Sequence, residues 1–509
     1  MKRIAICIVI FCSFFSIRAY AQEIVLLEKQ FSQNLERAII ETTAYHSAIK
    51  PYTVADFNID TTLLIQNFNY GLTNPGKAIS IIPYSNITIG KSINKKKSIE
   101  LSAGTIINAR IGKKWAIQLN AIENLLNLPN FENEKIDSNK VVPHFGRYAS
   151  KTGNFYQIPQ ITGILNYSPT YWASLSIGNG KNFIGDGYRS LLLSDNAATY
   201  PFAKLEIKGW RLKYEMLWLK INDIESNSGN KAFQEKYAAI HYLSYNITDR
   251  LNIGFFEAIV WRGKDSTQNR GFDPSYLNPI IFLRPVEFSL NSPDNANLGG
   301  SFKIRLWKKT FIYSQLFIDD FIVSEFTRNR GWWGNKYAIQ FGAKSYNFGN
   351  IKGLFAQAEY NYARPYTYSH ATSLTNYGYS YQPLAHPLGA NFHELVCIAN
   401  YTRAKWWINM QITTSVKGID STEESFGGNI YKSYTLRPGQ YGVGTIYGQK
   451  ELMAFPEISV GYILIPKWNL VLHTGYKGFY SRINSDSKLE NYFFIGIRTC
   501  LFNNETDYK

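Results

Sequence analysis

The chain has little cysteine. Four cysteines occur among 509 residues, and Cys7 and Cys12 lie in the apolar segment at the start. Cys397 and Cys500 remain for the folded part, too few for a disulfide-rich scaffold. The two could pair in an oxidising compartment, but because each lies in a strand-like run, we expect both to be unpaired. CxxC and His-rich spacings are also absent, so no metal or other cofactor is expected.

Long apolar runs are missing as well. Past Gln22 there is no stretch of about 18 apolar residues, so we expect no helical membrane anchor there. The mean hydropathy of −0.22 excludes a helical membrane bundle. Charged residues form only 18% of the chain and aromatic residues 16%, which excludes a disordered polyelectrolyte. A transmembrane β-barrel fits all of these values, because only alternate residues of its strands face lipid.

The first 21 residues have the pattern of an export signal. Lys2-Arg3 is a positive start, residues 4–17 are apolar, and residues 19–21 have the small-x-small pattern that precedes a cut. We therefore expect residues 1–21 to be a cleaved signal peptide. No cysteine stands at the expected cut, so lipidation is not expected. Cleavage would lower the formal net charge from +16 to +13, because three basic residues lie in the signal.

One helix is predicted after the signal. Phe31, Leu35, Ala38 and Ile39 have helical spacing, with polar residues on the opposite face. We expect residues 22–60 to be an N-terminal periplasmic helical segment that caps or plugs the main domain. Partner binding by this helix is the alternative.

From about residue 76 onward, apolar and polar residues alternate as they do in two-faced β-strands. In the segment 406–417, for example, one face carries Trp406, Ile408 and Met410. The other face carries Asn409 and Gln411. About 17 or 18 such segments occur. The longer ones have about 9–12 residues, the length that a tilted strand needs to cross a membrane.

Short turns and long loops separate these segments. Short turns are predicted at 112–113, 168–170, 209–210, 248–250, 308–309 and 403–405. Long loops are predicted at about 264–297, 364–393 and 418–455. Outer-membrane barrels have short periplasmic turns and long outer loops. We therefore predict an all-β fold in the cell outer membrane, a transmembrane antiparallel β-barrel of about 18 strands (16–18) at 61–502, with a polar tail at 503–509.

The glycine-rich stretch 178–196 contains the largest group of candidate binding residues. A phosphate-binding loop is not expected, because the Walker spacing is absent and no helix follows. A loop folded against the barrel wall or into the lumen is one interpretation. The other is a sugar site, because carboxylates and amides bind hydroxyls and aromatic rings stack on sugars. The candidate residues are Asp186, Tyr188, Arg189, Asp195 and Asn196.

With three further segments, this stretch resembles the Wzi-type capsule-assembly family of outer-membrane proteins and related gliding-motility surface proteins. The segments are Ser275-Tyr276-Leu277-Asn278-Pro279 with 284–287 and 294–296, then 359–366, and Leu384-Ala385-His386-Pro387-Leu388-Gly389-Ala390-Asn391. The resemblance spans about 145–395 and implies a barrel of about eighteen strands, plugged at its outer mouth, that binds polysaccharide and is not an enzyme. The candidates in these segments are Tyr276, Asn278, Arg284, Tyr362, Arg364 and Tyr366.

Hydrolytic sites are not expected from the residues themselves. The GxSxG elbow of serine hydrolases is absent. His386, Asn391 and His393 lie in one loop near Ser380, but a triad is defined by geometry and not by spacing. The adjacent carboxylates at 319–320 leave opposite faces of a strand, so they do not form a glycosidase pair.

The expected function is therefore non-enzymatic retention or organisation of surface polysaccharide. A cell-surface component of gliding or secretion machinery, acting through protein contacts, is the alternative. A diffusion channel ranks last, because bulky aromatics and long loops favour an occluded lumen. The basic balance would attract acidic polysaccharide or lipopolysaccharide phosphates, or only solvate turns such as 95–97. Outer-membrane lipid and lipopolysaccharide are further expected partners, and nucleic acid is not one.

Overall fold

Eighteen long strands close into an antiparallel barrel in the computed structural model, as predicted. The structure describes residues 46–53, 78–93, 97–129, 140–223, 233–264, 270–280 and 294–499, together with positions 24, 27, 29, 33, 36, 56, 131–133 and 136. The expected signal peptide, the polar tail, Arg284 and Cys500 lie outside these residues. Cys397 is a free cysteine.

The barrel strands follow one another along the chain. They are β1 Ile79–Ser92, β2 Lys97–Ile111, β3 Trp115–Asn127, β4 Phe155–Tyr167, β5 Ala173–Gly180, β6 Tyr200–Gly209, β7 Leu212–Asp223, β8 Gln234–Asn246, β9 Leu251–Arg262, β10 Asn295–Trp307, β11 Thr310–Asp320, β12 Lys336–Tyr346, β13 Leu354–Ala363, β14 Phe392–Arg403, β15 Trp406–Ile419, β16 Gln449–Ile465, β17 Leu470–Ile483 and β18 Asp486–Thr499. Each strand pairs with the next, and β18 pairs with β1 from Arg498↔Asn86 to Tyr492↔Ser92. This last pairing closes the barrel.

Short elements occupy the connections. They are the helix α1 Val323–Thr327, 3-10 turns at Pro274–Leu277, Phe348–Asn350, Tyr434–Leu436 and Pro466–Trp468, and short strands at Ile49–Lys50, Val141–Val142, Gly146–Arg147, Ser150–Thr152, Phe183–Ile184, Gly378–Tyr379 and Gln382–Pro383. In the part of the chain that the structure describes, no helix is long and apolar enough to cross a membrane.

The two faces of the barrel wall differ in chemistry. Outward-facing Ile81, Ile161 and Ile495 are 66%, 73% and 58% exposed. Inward-facing Asn124 and Gln340 are buried and polar. Successive side chains of a strand point to opposite faces, so one sequence supplies both an apolar outer band and a polar interior. The near-neutral mean hydropathy is the average of these two faces.

The connections differ in length between the two ends of the barrel. Eight turns of two to seven residues lie at the end where β1 begins and β18 ends. The opposite end carries seven connections of 10 to 32 residues and two short turns at 93–96 and 484–485. The predicted separation of turns from long loops is therefore confirmed. We call the second end the loop end.

Two of the long loops enter the barrel and pack there. Leu191–Leu193 of the 181–199 loop and Leu384 of the 364–391 loop are fully buried with the inward-facing wall residue Phe317. The Tyr368 ring packs against the Phe317 ring with centroids 4.5 Å apart, and its hydroxyl donates a hydrogen bond to the Leu191 carbonyl at 2.9 Å. The lumen thus contains an apolar core and is occluded, as predicted.

The described residues of the 22–60 segment contact the inside of the barrel. Ile49–Lys50 pairs with Phe183–Ile184 of the 181–199 loop. His46 Nδ1 lies 2.8 Å from Ser244 Oγ on β8. The predicted helix residues Phe31, Leu35, Ala38 and Ile39 lie outside the described positions. This segment and the 181–199 loop therefore meet within the lumen.

Candidate functional site

Asp186, the first predicted site residue, is buried in a network of lysines. Its carboxylate accepts hydrogen bonds from Lys303 Nζ at 3.3 Å and from Ser47 Oγ. Lys344 Nζ bonds the Asp186 carbonyl and Glu36 Oε2, both at 2.7 Å. Burial raises the pKa of the Asp186 carboxyl, but Lys303, Lys344 and Ser47 outweigh this and hold the pKa below its usual value. Asp186 is therefore an ionised anchor of the loop.

Tyr188 and Arg189 fasten the same loop to the barrel wall. Their backbone N–H groups donate to the Glu359 carboxylate at 2.7 and 3.0 Å. The Arg189 guanidinium donates from Nε and Nη2 to Glu394 Oε1, each at 3.2 Å. Both residues are buried. Charge-assisted bonds of this kind are strong where water is excluded, so these residues hold the loop in place.

Asp186, Tyr188 and Asp195 do come together, but around a small void. Its volume is about 50 Å³, which holds a few water molecules at about 10–15 Å³ each. Lys181 closes the loop beside it by donating to the Asp195 carbonyl at 3.0 Å. Burial lowers the pKa of this lysine to about 8. A sugar residue does not fit in such a space.

The predicted residues of the later segments lie elsewhere. Tyr276 and Asn278 belong to residues 270–280, which cross the outside of the barrel. There Trp218 Nε1, on the outward face of β7, donates to the Tyr276 carbonyl at 2.8 Å. Tyr362 also faces outward, stacked on His393 at 4.7 Å. These three residues are separated from Asp186 by the barrel wall.

Arg364 and Tyr366 join the outer loops to one another. Arg364 donates to the carbonyls of Trp332 at 2.9 Å and Val443 at 3.2 Å. Tyr366 donates from its hydroxyl to the Ser425 carbonyl at 2.7 Å. Their polar atoms therefore contact the backbone of the neighbouring loops.

The histidines near Ser380 are also apart. His386 is buried, and its Nε2 lies 2.5 Å from Glu394 Oε2. His393 lies on the outward face beside Tyr360, whose hydroxyl is 2.6 Å from its Nδ1. Among the described residues, no group of three or more His, Cys, Asp or Glu is placed to hold a metal ion.

An open cleft lies at the loop end, between the connections 128–154, 364–391 and 420–448. Its volume is about 800 Å³. The polar and aromatic residues in its lining include Asn196, Tyr381, Gln382, Asn429 and Tyr431. Of the predicted candidates at described positions, Asn196 alone is part of this lining. We call this site the mouth cleft.

A small hairpin presents an aromatic ring to the mouth cleft. Gly378–Tyr379 pairs with Gln382–Pro383, so Ser380 and Tyr381 form a two-residue turn. Their φ angles are 52° and 58°, in the left-handed region where turns of this type prefer Asn and Gly. A non-glycine residue there costs roughly 1–2 kcal/mol. Strained residues often cluster at functional sites.

Two features describe the surroundings of this hairpin. The rings of Tyr381 and Tyr431 stack with centroids 4.6 Å apart. The Gln382 side chain is buried, and its Oε1 has no hydrogen-bond partner among the described residues. This oxygen has almost no accessible surface, so the part of the hairpin that a ligand can reach is the partly exposed Tyr381 ring.

Sequence reasoning missed Tyr381, Gln382 and Tyr431. A weak signal was present for the hairpin, because residues 376–383 are rich in tyrosine and directly precede the 384–391 segment. Tyr431 has no comparable signal. It lies in a long loop and reaches the hairpin only through the fold.

No protein-family model matches the sequence, and no curated protein matches it. Among solved structures, the chain is similar to Wzi of Escherichia coli, an outer-membrane protein involved in group 1 capsule assembly and described as a carbohydrate-binding β-barrel. The TM-score is 0.55 at 11% identity, over 93% of this chain and 99% of Wzi. At this identity the similarity shows the fold alone, that of an outer-membrane β-barrel.

Two porin-like structures score lower. OprD of Pseudomonas aeruginosa has a TM-score of 0.44 at 10% identity, over 84% of this chain and 98% of OprD. OccAB2 of Acinetobacter baumannii has a TM-score of 0.45 at 11% identity, over 83% of this chain and 97% of OccAB2. Because both TM-scores are below 0.5, neither similarity supports a conclusion about this protein. Nothing in these similarities supports the gliding-motility part of the expected resemblance.

Proposed function

We propose that this protein is an outer-membrane barrel that binds surface polysaccharide in the mouth cleft, without catalysis. The observation that carries this proposal is the lining of the cleft, where the partly exposed Tyr381 ring stacks on Tyr431 and the Asn429 side chain is exposed. Its volume of about 800 Å³ is within the range of roughly 300–1,000 Å³ that is usual for ligand sites.

The chemistry of the lining suits a sugar chain. An aromatic ring offers its apolar face to the C–H face of a sugar, and Tyr381 is partly exposed in the cleft. The exposed amide of Asn429 accepts from and donates to hydroxyls. This combination of stacking and hydrogen bonds recognises a neutral polyol without a cofactor.

The position of the cleft also supports this function. Long loops of outer-membrane barrels face the outside of the cell, and the apolar outer face of the wall fits an outer-membrane location. Because the lumen below is packed, the chain would hold polysaccharide at its mouth. The fold similarity to Wzi, a barrel described as carbohydrate-binding, agrees with such a role.

Binding to the producer's own surface polysaccharide tests this function. Purified protein in detergent should bind that polysaccharide, measured by biolayer interferometry, and Tyr381→Ala should weaken binding about tenfold, the equivalent of one lost contact of about 1.4 kcal/mol. Tyr441→Ala is the matched control, because Tyr441 is an exposed loop tyrosine at 45% exposure outside the cleft lining.

Equal binding by both variants would contradict the proposed site. In the producing cell, deletion of the gene should reduce retained polysaccharide. Unchanged polysaccharide with lost motility would favour the machinery alternative.

A further inference from the structure

The charged residues in the mouth cleft balance one another. The lining contains two lysines, Lys417 and Lys432, and two acidic residues, Asp420 and Glu451. The whole chain, in contrast, has a formal net charge of +16. The basic excess of the chain is therefore not concentrated in this cleft.

Both lysines of the lining are bound to backbone carbonyls. Lys432 Nζ donates to Ser421, Thr422 and Glu424 carbonyls at 2.8, 3.0 and 2.9 Å. An ammonium group has three N–H donors, so these contacts use all of them. Lys417 Nζ donates to the Leu388 carbonyl at 2.7 Å. The ammonium groups therefore hold the loops that form the cleft.

The two carboxylates are bound in the same way. Asp420 accepts from the N–H groups of Phe426, Gly428 at 3.3 Å and Asn429 at 2.6 Å. Glu451 Oε1 accepts from Ser481 Oγ at 2.7 Å. These carboxylates likewise stabilise the rim and the wall of the cleft.

A carboxylate or phosphate on a ligand would lose water on entering this cleft. It would find Lys432 with all three N–H groups bonded and Lys417 bonded to the Leu388 carbonyl, next to two carboxylates, and an uncompensated charge is costly to bury. A neutral sugar has no such cost. Its hydroxyls can bond the exposed amide of Asn429, and its C–H face can stack on Tyr381.

From these contacts we infer that the mouth cleft takes an uncharged stretch of polysaccharide, and not an acidic one. This inference rests on the proposed function and narrows its ligand class. It also differs from the simplest expectation from composition, in which a basic protein attracts acidic polysaccharide.

Matched probes test the ligand class on the purified full-length protein. Dextran and galactomannan are the neutral probes, and alginate and polygalacturonate the acidic ones. We expect binding to at least one neutral probe that changes less than about threefold between about 50 and 500 mM NaCl, because salt screens charge pairs and leaves stacking nearly unaffected. Tyr381→Ala should weaken this binding about tenfold, and Tyr441→Ala should keep it.

A gain-of-charge variant completes the test. Thr422 is exposed in the lining, so Thr422→Lys adds a cation with free N–H groups. This variant should acquire salt-sensitive binding to the acidic probes. If the wild type binds the acidic probes more tightly than the neutral ones and Tyr381→Ala loses this binding, the inferred ligand class is wrong. The proposed function would still stand. If Tyr381→Ala changes binding to none of the probes, the mouth cleft is not the binding site.

Discussion

Arg189 and Tyr381 show two different uses of side chains at the loop end. Arg189 is 4% exposed and is bonded to Glu394 across 205 positions of sequence. Tyr381 is partly exposed and has a backbone conformation that tyrosine rarely adopts. The donors of Arg189 are used in hydrogen bonds within the protein. The conformation of Tyr381 places an aromatic ring where a ligand can reach it.

Removal of Arg189 should destabilise the protein. Arg189→Ala leaves Glu394 buried without its cation, and loss of one partner of a buried ion pair costs about 3–5 kcal/mol. The measurement is thermal or denaturant unfolding of the purified barrel. Arg328→Ala is the control, because Arg328 is 59% exposed in its pair with Glu325 and such pairs contribute at most about 1 kcal/mol. Equal effects would contradict the anchoring role of Arg189.

The positions of the strands and the conformations of the loops in this barrel depend on different interactions. The alternation of each strand depends on its own residues, so strand positions are predictable from sequence. The loops instead depend on contacts with one another, as at Asn391, whose Nδ2 donates to the carbonyls of Phe426 at 3.0 Å and Tyr447 at 2.8 Å. The shape of the cleft comes from such ties between loops.

Acid should loosen the described part of the N-terminal segment from the lumen. Burial, with the charges of Lys213, Lys303 and Lys208, lowers the pKa of His46 from 6.5 to about 3. Between these values the detached segment binds a proton that the seated one does not, so seating is weakened as pH falls from 6.5 to about 3. His46→Gln should lack this component. The measurement is protease protection of the segment at pH 7 and pH 4.

The control variant, His370→Gln, should keep the effect of acid on protection of the N-terminal segment. His370 is also buried in a loop, and burial lowers its pKa to about 4, but it does not belong to the segment. His370→Gln should therefore leave the pH dependence of segment protection as in the wild type. Loss of the dependence in both variants would show that His46 is not the responsible group.

The whole barrel combines a membrane wall with a filled interior. Asp186 joins three parts of it, because its carboxylate contacts Ser47 of the N-terminal segment and Lys303 of β10 while it belongs to the 181–199 loop. The inserted loops therefore pack against the wall through both apolar contacts and buried ion pairs.

Occlusion of the lumen predicts a closed barrel in planar bilayers. The wild type should conduct far less than an open pore of similar strand number. Asp186→Asn removes one charge that holds the 181–199 loop, so brief openings should become more frequent. Asp249→Asn, in an exposed turn at 247–250, is the matched control. Steady large conductance of the wild type would contradict an occluded lumen and support a channel.

Much of the fold was predictable, but the proposed mouth-cleft site was not. The alternation at 406–417, six of the short turns and three of the long loops were recognisable from neighbouring residues. The candidates Asp186, Tyr188 and Arg189 were chosen for their chemistry, and their partners Lys303, Glu359 and Glu394 lie more than 100 positions away. Nothing local indicates that these distant groups satisfy them.

The amino-acid sequence by itself determined the barrel, its approximate strand number and the separation of short turns from long loops, because a period of two and the spacing of turns are local properties. Tertiary structure alone decided which polar residues are buried anchors and which line an open cleft. It also decided which donors are available, because the three N–H groups of Lys432 are bonded to carbonyls that only the folded loop brings to it. Hydrogen-bonding capacity used inside the protein is no longer available to a ligand, and that depends on three-dimensional contacts.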